Sequence, residues 1–385
     1  MKVLFVANNA FNKGNGIAVS IHNTMKGLKE LGIDARLMAV ENPDPEGPQP
    51  DFPLEHFVFP IFEPIIRKNG FSYAKLSKRR IREAVRWADV IHMEEALFLQ
   101  PAVEKIARKE GVPCVGTFHL YPHNVLANLG FPKKNFLNAP LQQLWNSTVF
   151  DHCSIIQCPA AEVKRYLTEC RSKAELRVIP NGINIPEEKV VPEDVIPGEV
   201  IDILCIGRLS KEKSQDTLLQ AMRYSRHADR IRLIFAGDGP MAGQYKKMAA
   251  KLVREGVIKN SPVFGFYTHE ELSELARKSY LYVHCSWVET EGLSCLEATR
   301  EGLVPVIGEG ELVSTSQFAL TPVSKYPLGD SKALAERIDW WIEHPAERNR
   351  MAREYADAAR KYDISSSMQA LAQMYEDAVK ANKKN

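Results

Sequence analysis

The sequence predicts an α/β protein with two Rossmann-like, doubly wound parallel-sheet domains. At 385 residues the chain is too long for one hydrophobic core. Short β-branched runs alternate with amphipathic helical patterns in both halves, which is typical of parallel strands joined by crossover helices. The alternation breaks at a proline-rich stretch that contains Pro186, Pro192 and Pro197. We therefore expect an N-terminal domain over residues 1–182, a linker over 183–199 and a C-terminal domain over 200–363.

Each predicted strand is a short apolar run that a polar or amphipathic segment follows. In the first domain these runs are 3–7, 35–40, 89–93, 113–119 and 154–158. In the second domain they are 201–206, 231–236, 261–264, 280–284 and 304–307. Beyond residue 330 only helical patterns remain. The last helix is predicted at about 364–381, because Ser365 can cap it and Met368, Leu371 and Tyr375 form one apolar stripe.

The composition indicates an ordinary cytosolic protein. Hydrophobic residues make up 45% of the chain and charged residues 25%. The seven cysteines include no Cys-x-x-Cys pair, which favours a reducing compartment. The first residues read as a β-strand rather than a signal peptide, and no apolar stretch approaches the roughly 20 residues that span a bilayer. The net charge of +2 does not identify a partner, and we expect no nucleic acid.

Cationic side chains follow the first strand of the second domain, where ligands of open parallel sheets bind. Gly207 leaves space beside the strand, Arg208 offers a planar set of donors, and Lys213 offers a point charge. This combination suits a diphosphate, whose charge these cations would neutralise. Cations on a solvated loop are the alternative.

Two glutamates bracket a glycine turn later in the same domain. Glu289 lies in a loop at the end of a strand, and Glu297 lies about two turns into the next helix. Between them, Gly292 permits close backbone approach to a ligand, and the helix start at Leu293 supplies free N–H groups. A nucleotide-sugar fits such a turn, whereas the alternative is a buried strand followed by a solvated helix.

Weaker signals lie at other strand ends. Gly237 occupies a tight turn that turn chemistry alone explains, and Phe266 offers a flat ring for a nucleobase. Gly14 and Gly16 lie in a loop that can reach phosphate or sugar, although such loops are also plain turns. His119 ends the fourth predicted strand of the first domain, where it is a candidate for contact with the reacting group. A lone histidine is more often structural.

No Asp-x-Asp pair occurs in the sequence, so we expect no metal-bridged diphosphate and no cofactor. Arg208 and Lys213 would take the place of the cation. A basic, amphipathic stretch runs from Arg67 to Arg86. It is typical of a segment that lies on an anionic membrane, with a solvated helix face as the alternative.

Together these motifs resemble the retaining family-4 glycosyltransferases of the GT-B fold, in which two such domains face a central cleft. The resemblance covers essentially the whole chain. It is carried by Gly14 and Gly16, Thr117 to His119, Ile179 to Asn184 with Asn181, Gly207 with Arg208 and Lys213, Gly237 to Pro240, Glu289 with Glu297, and Gly302 to Val306.

The resemblance implies a role for several of these residues. Glu297 would bind the ribose hydroxyls of a UDP-sugar, and Arg208 with Lys213 would bind its diphosphate. Glu289 and the backbone of Gly292 and Leu293 would bind the donor sugar. His119 would lie beside the anomeric centre. The first domain would hold the acceptor, and the last helix would cross back onto it.

The chain departs from the common family pattern around the glutamate pair. It has Thr290 and Glu291 where many members have Pro-Phe, and Thr299-Arg300-Glu301 where small residues are usual. These differences leave the donor sugar open.

A looser similarity, carried by 118–124 and 314–320, connects the chain to bacterial enzymes that glycosylate membrane lipids such as diacylglycerol. We therefore expect a metal-independent, retaining hexosyltransferase with a UDP-sugar donor, glucose or galactose being favoured. The expected acceptor is a membrane lipid such as diacylglycerol or ceramide. The expected location is the cytoplasm, at the inner face of the plasma membrane.

Three alternatives remain open from the sequence. The acceptor can instead belong to capsular, lipopolysaccharide or other polyprenyl-linked glycan assembly. A nucleotide-sugar epimerase would share the fold, and so would a non-catalytic GT-B partner subunit.

Overall fold

The computed structural model describes residues 1–11, 16–60, 63, 72–131, 133, 135–188 and 191–383. The chain divides into two compact units. The first unit combines Met1–Gly182 with Ile364–Asn385, and the second is Ile183–Asp363.

The first unit contains a seven-stranded parallel sheet. Its strands and helices are β1 (Lys2–Val6), α1 (Gly16–Glu30), β2 (Asp34–Val40), β3 (Phe52–Leu54), α2 (Lys78–Trp87), β4 (Val90–Met93), α3 (Leu99–Glu110), β5 (Cys114–Thr117), α4 (Pro122–Asn128), α5 (Asn138–Thr148), β6 (Ile155–Cys158), α6 (Ala161–Glu169) and β7 (Glu175–Val178). The strand order is β3-β2-β1-β4-β5-β6-β7, and neighbouring strands run parallel. The order reverses between β1 and β4, so the loops after these two strands flank a switch point where ligands bind in such sheets.

The second unit contains a six-stranded parallel sheet. Its elements are β8 (Ile201–Ile206), α7 (Asp216–Ala221), β9 (Ile231–Ala236), α8 (Ala242–Arg254), β10 (Val263–Gly265), α9 (His269–Lys278), β11 (Leu281–His284), α10 (Leu293–Arg300), β12 (Val304–Glu309), β13 (Lys325–Pro327), α11 (Ser331–Glu343) and α12 (Pro345–Ala359). The strand order is β10-β9-β8-β11-β12-β13. Here the order reverses between β8 and β11.

The C-terminal helix, α13 (Ile364–Asn382), completes the core of the first unit. Its buried residues Met368, Leu371 and Tyr375 belong to the core of the first unit, where the helix packs against α1, β4 and β5. A Cβ atom on Gly27 of α1 would lie 2.5 Å from Cγ of Met368, so glycine at this position allows the two helices to approach closely.

The predicted fold class, with its two parallel-sheet domains, is confirmed. Three strands were not predicted, namely β3, β7 and β13, and each forms an edge of its sheet. Two of them contain proline, at Pro53 and Pro327, which an edge strand tolerates because one side of it has no partner strand. β7 is largely solvent-accessible and lacks an apolar run. Because β3 was missed, the strand that precedes His119 is the fifth of its unit rather than the fourth.

The stretch predicted as a linker is attached to the second unit. The N–H of Ile183 donates to the carbonyl of Tyr362 (2.8 Å), and Asp194 pairs with Arg353 (2.6 Å). Gly302 lies so close to Pro192 that a Cβ atom would meet the proline ring at 2.1 Å. In the described parts of this stretch, 183–188 and 191–199, no helix or sheet strand forms, and these contacts join it to the second unit.

Among the described residues, no helix has both the length and the apolarity that crossing a membrane requires.

We predict that Leu371→Ala destabilises the first unit, because the leucine is buried between α13 and the sheet. The expected loss is about 2–5 kcal/mol in the free energy of unfolding. Chemical denaturation followed by circular dichroism measures it. The matched control is Gln373→Ala on the exposed face of the same helix, with an expected change within about 0.5 kcal/mol. Equal effects of the two substitutions would show that α13 is not part of the core.

Candidate functional site

In the second unit, the loops after β8 and β11 are joined at the switch point. The N–H of Trp287 donates to the carbonyl of Glu212 (3.0 Å), and the indole N–H donates to the carbonyl of Lys211 (3.2 Å). The carbonyl of Arg208 accepts from the Gln215 side chain (2.8 Å), which braces the first of these loops. The cationic loop and the glutamate turn predicted from sequence therefore lie side by side.

A buried ion pair forms where the two loops meet. The ammonium of Lys213 donates to the carboxylate of Glu289, and Nε2 of His284 lies 3.6 Å from Oε2 of the same carboxylate. Burial alone would raise the pKa of Glu289, but Lys213 and His284 lower it to about 2. Burial lowers the pKa of His284, which favours its neutral form. Glu289 is therefore an anion at neutral pH, and Lys213 is the cation that compensates it.

The backbone of Glu289 is also held in place. Its N–H donates to Leu312 (2.8 Å), and its carbonyl accepts from the N–H of Ser314 (3.0 Å). Next to it, Gly292 has a φ of +88° and lies so close to Thr315 that a Cβ atom would meet Oγ1 at 2.3 Å. Only glycine fits this position, for both reasons. The turn is thus fixed by a segment about 20 residues further along the chain.

Gly292 caps α10, which begins at Leu293 and carries Glu297 as its fifth residue. Glu297 is thus one turn into the helix rather than two. Its side chain is 30% exposed, and Nδ1 of His269 lies 4.0 Å from it. Burial raises the pKa of Glu297, with only partial compensation from His269 and Arg300. A ligand that donates hydrogen bonds would stabilise its charged form.

The remaining predicted residues of this unit differ in their surroundings. Burial lowers the pKa of Arg208, which follows Gly207. A Cβ atom on Gly237 would lie 2.2 Å from the carbonyl oxygen of Gly207, so this glycine has a packing role. Phe266 is 61% exposed and follows the edge strand β10, two strands away from β8.

In the first unit, His119 is paired with a carboxylate that the sequence analysis overlooked. Its Nε2 lies 2.6 Å from Oε2 of Glu94, which immediately follows β4. Nε2 of His92 lies 3.7 Å from the other oxygen of Glu94. Burial opposes the ionisation of Glu94, but the two histidines lower its pKa below the usual range. An ionised carboxylate only accepts hydrogen bonds, so Nε2 of His119 carries a proton.

A directed chain of hydrogen bonds crosses the same edge of the sheet. The hydroxyl of Tyr375 donates to Nδ1 of His92 (2.7 Å), and Nε2–H of His92 donates to Oγ1 of Thr117 (2.6 Å). Thr117 donates to Gln157 (2.6 Å), whose amide donates to Asn181 (3.4 Å). The direction of these hydrogen bonds follows from Thr117. Its hydroxyl has one proton, which it donates to Gln157, so its oxygen accepts from His92. Asn181 is thus part of a buried network in the first unit, and His92 is fixed as its Nε2–H tautomer.

The loop after β1 meets the same edge. The Asn8 backbone and side chain both donate to Oε2 of Glu95, at 3.3 and 2.9 Å. Gly16 begins α1 with open space around its Cα, so no described neighbour requires a glycine there. Gly14 lies outside the described residues, as do Arg67 and Lys68 of the basic stretch.

The overlooked residues follow one pattern. Glu94 and Glu95 come directly after a predicted apolar strand, as Glu289 follows another, so the same argument would have found them. His92 and His284 lie within strands and give no such signal, because an inward-facing histidine in an apolar run is usually structural.

Comparisons with known proteins agree with this architecture. The model of the family described as Glycosyltransferase Family 4 matches residues 14–186, and that of Glycosyl transferases group 1 matches residues 187–359. The alpha-monoglucosyldiacylglycerol synthase of Streptococcus pneumoniae is 24% identical over 83% of this chain and 74% of its own length.

Two solved structures share the fold. Alr3699/HepE of Anabaena, in complex with UDP and glucose, has a TM-score of 0.73 and 18% identity, and the match covers 98% of this chain and all of HepE. Sucrose-phosphate synthase of Thermosynechococcus elongatus has a TM-score of 0.71 and 17% identity, with coverage of 99% and 100%.

The lowered pKa of Glu289 predicts an acid-sensitive contribution to stability. Its folded-state pKa of about 2 lies below the ordinary 4.5, so its stabilisation is present above pH 4.5 and is lost as the pH falls towards 2. We expect Glu289→Gln to cost about 3 kcal/mol of unfolding free energy at pH 7, because it also leaves Lys213 uncompensated. Denaturation at several pH values should show this difference shrinking below pH 4.5.

Glu297→Gln is the matched control, and we expect it to change the free energy of unfolding in the opposite direction. A raised folded-state pKa means that the charged form costs stability at pH 7. This variant should be as stable as the wild type or more stable at pH 7, and should lose that advantage as the pH falls. The same pH dependence in both variants would contradict these assignments.

Proposed function

The chain belongs to glycosyltransferase family 4 and has the GT-B fold, and we propose that it is a retaining hexosyltransferase that uses a UDP-sugar to glycosylate a membrane lipid. Family membership makes it a glycosyltransferase. The donor, the stereochemistry, the independence from metal and the acceptor are the proposed part. We further propose that it works in the cytoplasm, at the inner face of the plasma membrane.

The Lys213–Glu289 pair is the observation that carries the donor half of the proposal. It lies at the switch point of the second unit, next to the capped start of α10. A fixed cation suits a diphosphate, whereas a fixed anion suits the hydroxyls of a sugar. The complexes of HepE with UDP and glucose and with UDP-glucose support the choice of a UDP-hexose, with glucose or galactose favoured.

Each residue then has a defined task in donor binding. Lys213 and Arg208 neutralise the diphosphate, and we propose that these cations serve where other transferases use a metal ion. Glu297 accepts hydrogen bonds from the ribose hydroxyls, which offsets the cost of its burial. Glu289 and the N–H groups of Gly292 and Leu293 bind the hydroxyls of the transferred sugar, so Thr290 and Glu291 lie where donor specificity is decided.

The proposed reaction is a front-side displacement. The acceptor oxygen forms its bond to the anomeric carbon on the face from which the diphosphate leaves. The carbon–oxygen bond to phosphate breaks, its electron pair departs with UDP, and a phosphate oxygen takes the acceptor proton. The protein contributes by positioning and by charge stabilisation, because the leaving group itself provides the base.

An exposed aromatic cluster in the first unit supports a lipid acceptor. Tyr73 lies 5.2 Å from Phe98 and 5.5 Å from Phe59 between ring centroids, and Phe57 extends the group. Phe98 is 60% exposed. The N–H of Ala74, next to Tyr73, donates to the side chain of Asn8, so the cluster adjoins the carboxyl edge of the sheet. Apolar surface beside a polar site suits an acceptor with a hydroxyl and hydrocarbon chains.

The first turn of α2 supports contact with an anionic membrane. Lys78, Arg79 and Arg80 are exposed there, and no ion pair joins them to an acid among the described residues. Cations are unfavourable at a helix N-terminus, where the helix dipole is positive, so an anionic partner would stabilise them. The lipid-glycosylating enzyme of Streptococcus pneumoniae is the relative that agrees with this choice.

Other basic residues of the stretch are neutralised within the unit. Lys75 pairs with Glu55 (2.7 Å), and Arg86 with Glu110 (2.8 Å). The membrane contact proposed here is thus narrower than the whole basic stretch.

The decisive assay incubates the protein with several UDP-sugars and a membrane lipid extract, and identifies a new glycolipid by mass. Transfer confined to soluble or polyprenyl-linked acceptors would replace the lipid by the glycan-assembly alternative. A new nucleotide-sugar formed without acceptor would indicate an epimerase. No turnover with any donor would indicate a non-catalytic partner subunit.

We predict that Lys213→Ala lowers the rate of sugar transfer by about 100-fold or more, because the leaving diphosphate loses a fixed cation. The release of UDP in the presence of acceptor measures it. Lys211→Ala, which removes an exposed cation from the same turn, is the control and should stay near the wild-type rate. Equal rates for both variants would refute the role of Lys213.

We also predict that replacing Lys78, Arg79 and Arg80 by alanine weakens binding to anionic vesicles by about 100-fold, at roughly 1 kcal/mol per cation. Sedimentation with vesicles of phosphatidylglycerol and phosphatidylcholine measures the bound fraction. The control removes three exposed cations from α8, Lys247, Lys251 and Arg254, and should bind as the wild type does. If both triple variants lose binding equally, net charge rather than this turn is responsible.

A further inference from the structure

Two adjacent buried carboxylates end strand β4 at the switch point of the first unit. Glu94 and Glu95 are 3% and 5% exposed. Their side chains bind the loops on either side of β4. Glu94 accepts a hydrogen bond from His119 after β5, whereas Glu95 accepts from Asn8 after β1. The pair therefore spans the edge where, in the proposed function, the acceptor binds.

The negative charges of Glu94 and Glu95 are not equally compensated by their neighbours. Glu94 has two histidines within 3.7 Å, at 2.6 Å for His119 and 3.7 Å for His92. Glu95 accepts hydrogen bonds through Oε2 from the neutral Asn8, and none to Oε1 is found within the described part of the chain. Neither carboxylate forms an ion pair with a lysine or arginine among those residues. Within the described residues, this edge thus has negative charge that no lysine or arginine balances.

Besides Asn8, the neighbours that act electrostatically on Glu95 are Glu94 and His119. Burial raises the pKa of Glu95, as does the charge of Glu94, whereas the Asn8 hydrogen bonds and His119 lower it. Burial and the charge of Glu95 together raise the pKa of Tyr73 to about 12, which places this acid beside the aromatic cluster. A hydroxyl that donates to Glu95 would stabilise it, whereas a phosphate would add a second buried anion.

We propose that Glu95 selects an acceptor whose reacting end is electrically neutral, by accepting a hydrogen bond from its hydroxyl and repelling acceptors that carry a phosphate there. This inference rests on the proposed function, in which the first unit holds the acceptor. Discrimination of this kind uses an unfavourable contact against the wrong ligand as well as a favourable one with the right ligand.

The first unit then carries two charged regions of opposite sign with different tasks. The cationic turn of α2 attracts an anionic membrane surface, whereas the acidic edge excludes anionic molecules from the reacting position. Of the acceptors left open by the sequence, neutral lipids such as diacylglycerol fit this edge, and phosphate-linked carriers do not.

The test compares 1-oleoylglycerol with 1-oleoylglycerol 3-phosphate, which share a free 2-hydroxyl and differ at position 3, where a phosphate takes the place of the primary hydroxyl. Because that hydroxyl is lost together with the gain of charge, the change of the ratio in Glu95→Gln isolates the effect of charge. Both are presented in phosphatidylcholine vesicles whose total negative charge is made equal with dioleoyl phosphatidate, which has no free hydroxyl. For the wild type we expect kcat/KM to be at least about 100-fold higher with the neutral acceptor. Glu95→Gln keeps an oxygen for Asn8 but removes the charge, and should reduce this ratio at least tenfold.

Glu30→Gln is the matched control, because it removes an exposed negative charge at the end of α1, away from the carboxyl edge of the sheet. Its ratio should equal that of the wild type. Denaturation curves of both variants check that the fold is retained. Equal use of the two acceptors by the wild type overturns the proposal, and so does an unchanged ratio in Glu95→Gln.

If neither lipid is glycosylated, the lipid acceptor of the proposed function fails, and the charge preference is measured with glucose and glucose 6-phosphate instead. UDP release that favours glucose in the wild type and less so in Glu95→Gln would uphold the inference without the lipid. Release with neither sugar overturns both proposals.

Discussion

Parallel pairing of the strands is the constraint on which both candidate sites depend. Parallel strands bring their carboxyl ends to one edge, and the reversal of strand order leaves a gap in the crossover connections there. Lys213 and Glu289 are 76 residues apart in sequence, yet they form an ion pair because β8 and β11 are neighbours. Asn8 and Glu95, which are 87 residues apart, meet because β1 and β4 are neighbours.

The two units use buried carboxylates in a similar way. In each, one carboxylate has a lowered pKa and a fixed partner, Glu289 in the second unit and Glu94 in the first. In each, another carboxylate has a raised pKa because burial is less well compensated, Glu297 and Glu95 respectively. The compensated acids are organised before any ligand arrives. In Glu297 and Glu95, burial of the charged form has a free-energy cost that a hydroxyl donor can offset. They are therefore suited to recognising polyhydroxylated or alcoholic ligands.

The C-terminal helix does more for the first unit than cover its core. Tyr375 donates to Nδ1 of His92 across 283 residues of sequence, and His92 lies beside the acid that accepts from His119. Arg177 of the edge strand β7 also pairs with Asp377 of this helix (2.6 Å). The arrangement of the acidic edge in the first unit thus depends on the last residues of the chain.

The fold class, the central strands and the loops of the candidate site in the second unit could be predicted from the sequence, because buried strands are apolar runs and the loops with Gly207, Lys213, Glu289 and Gly292 follow them. Three of the four edge strands, β3, β7 and β13, were missed, because exposure or a proline hides the apolar pattern. Which charges meet became visible in the fold alone, because an ion pair such as that of Lys213 with Glu289 depends on strand order, which is a long-range property. For the same reason the pairing of His119 with Glu94 appeared only in the fold, where β4 and β5 lie next to each other.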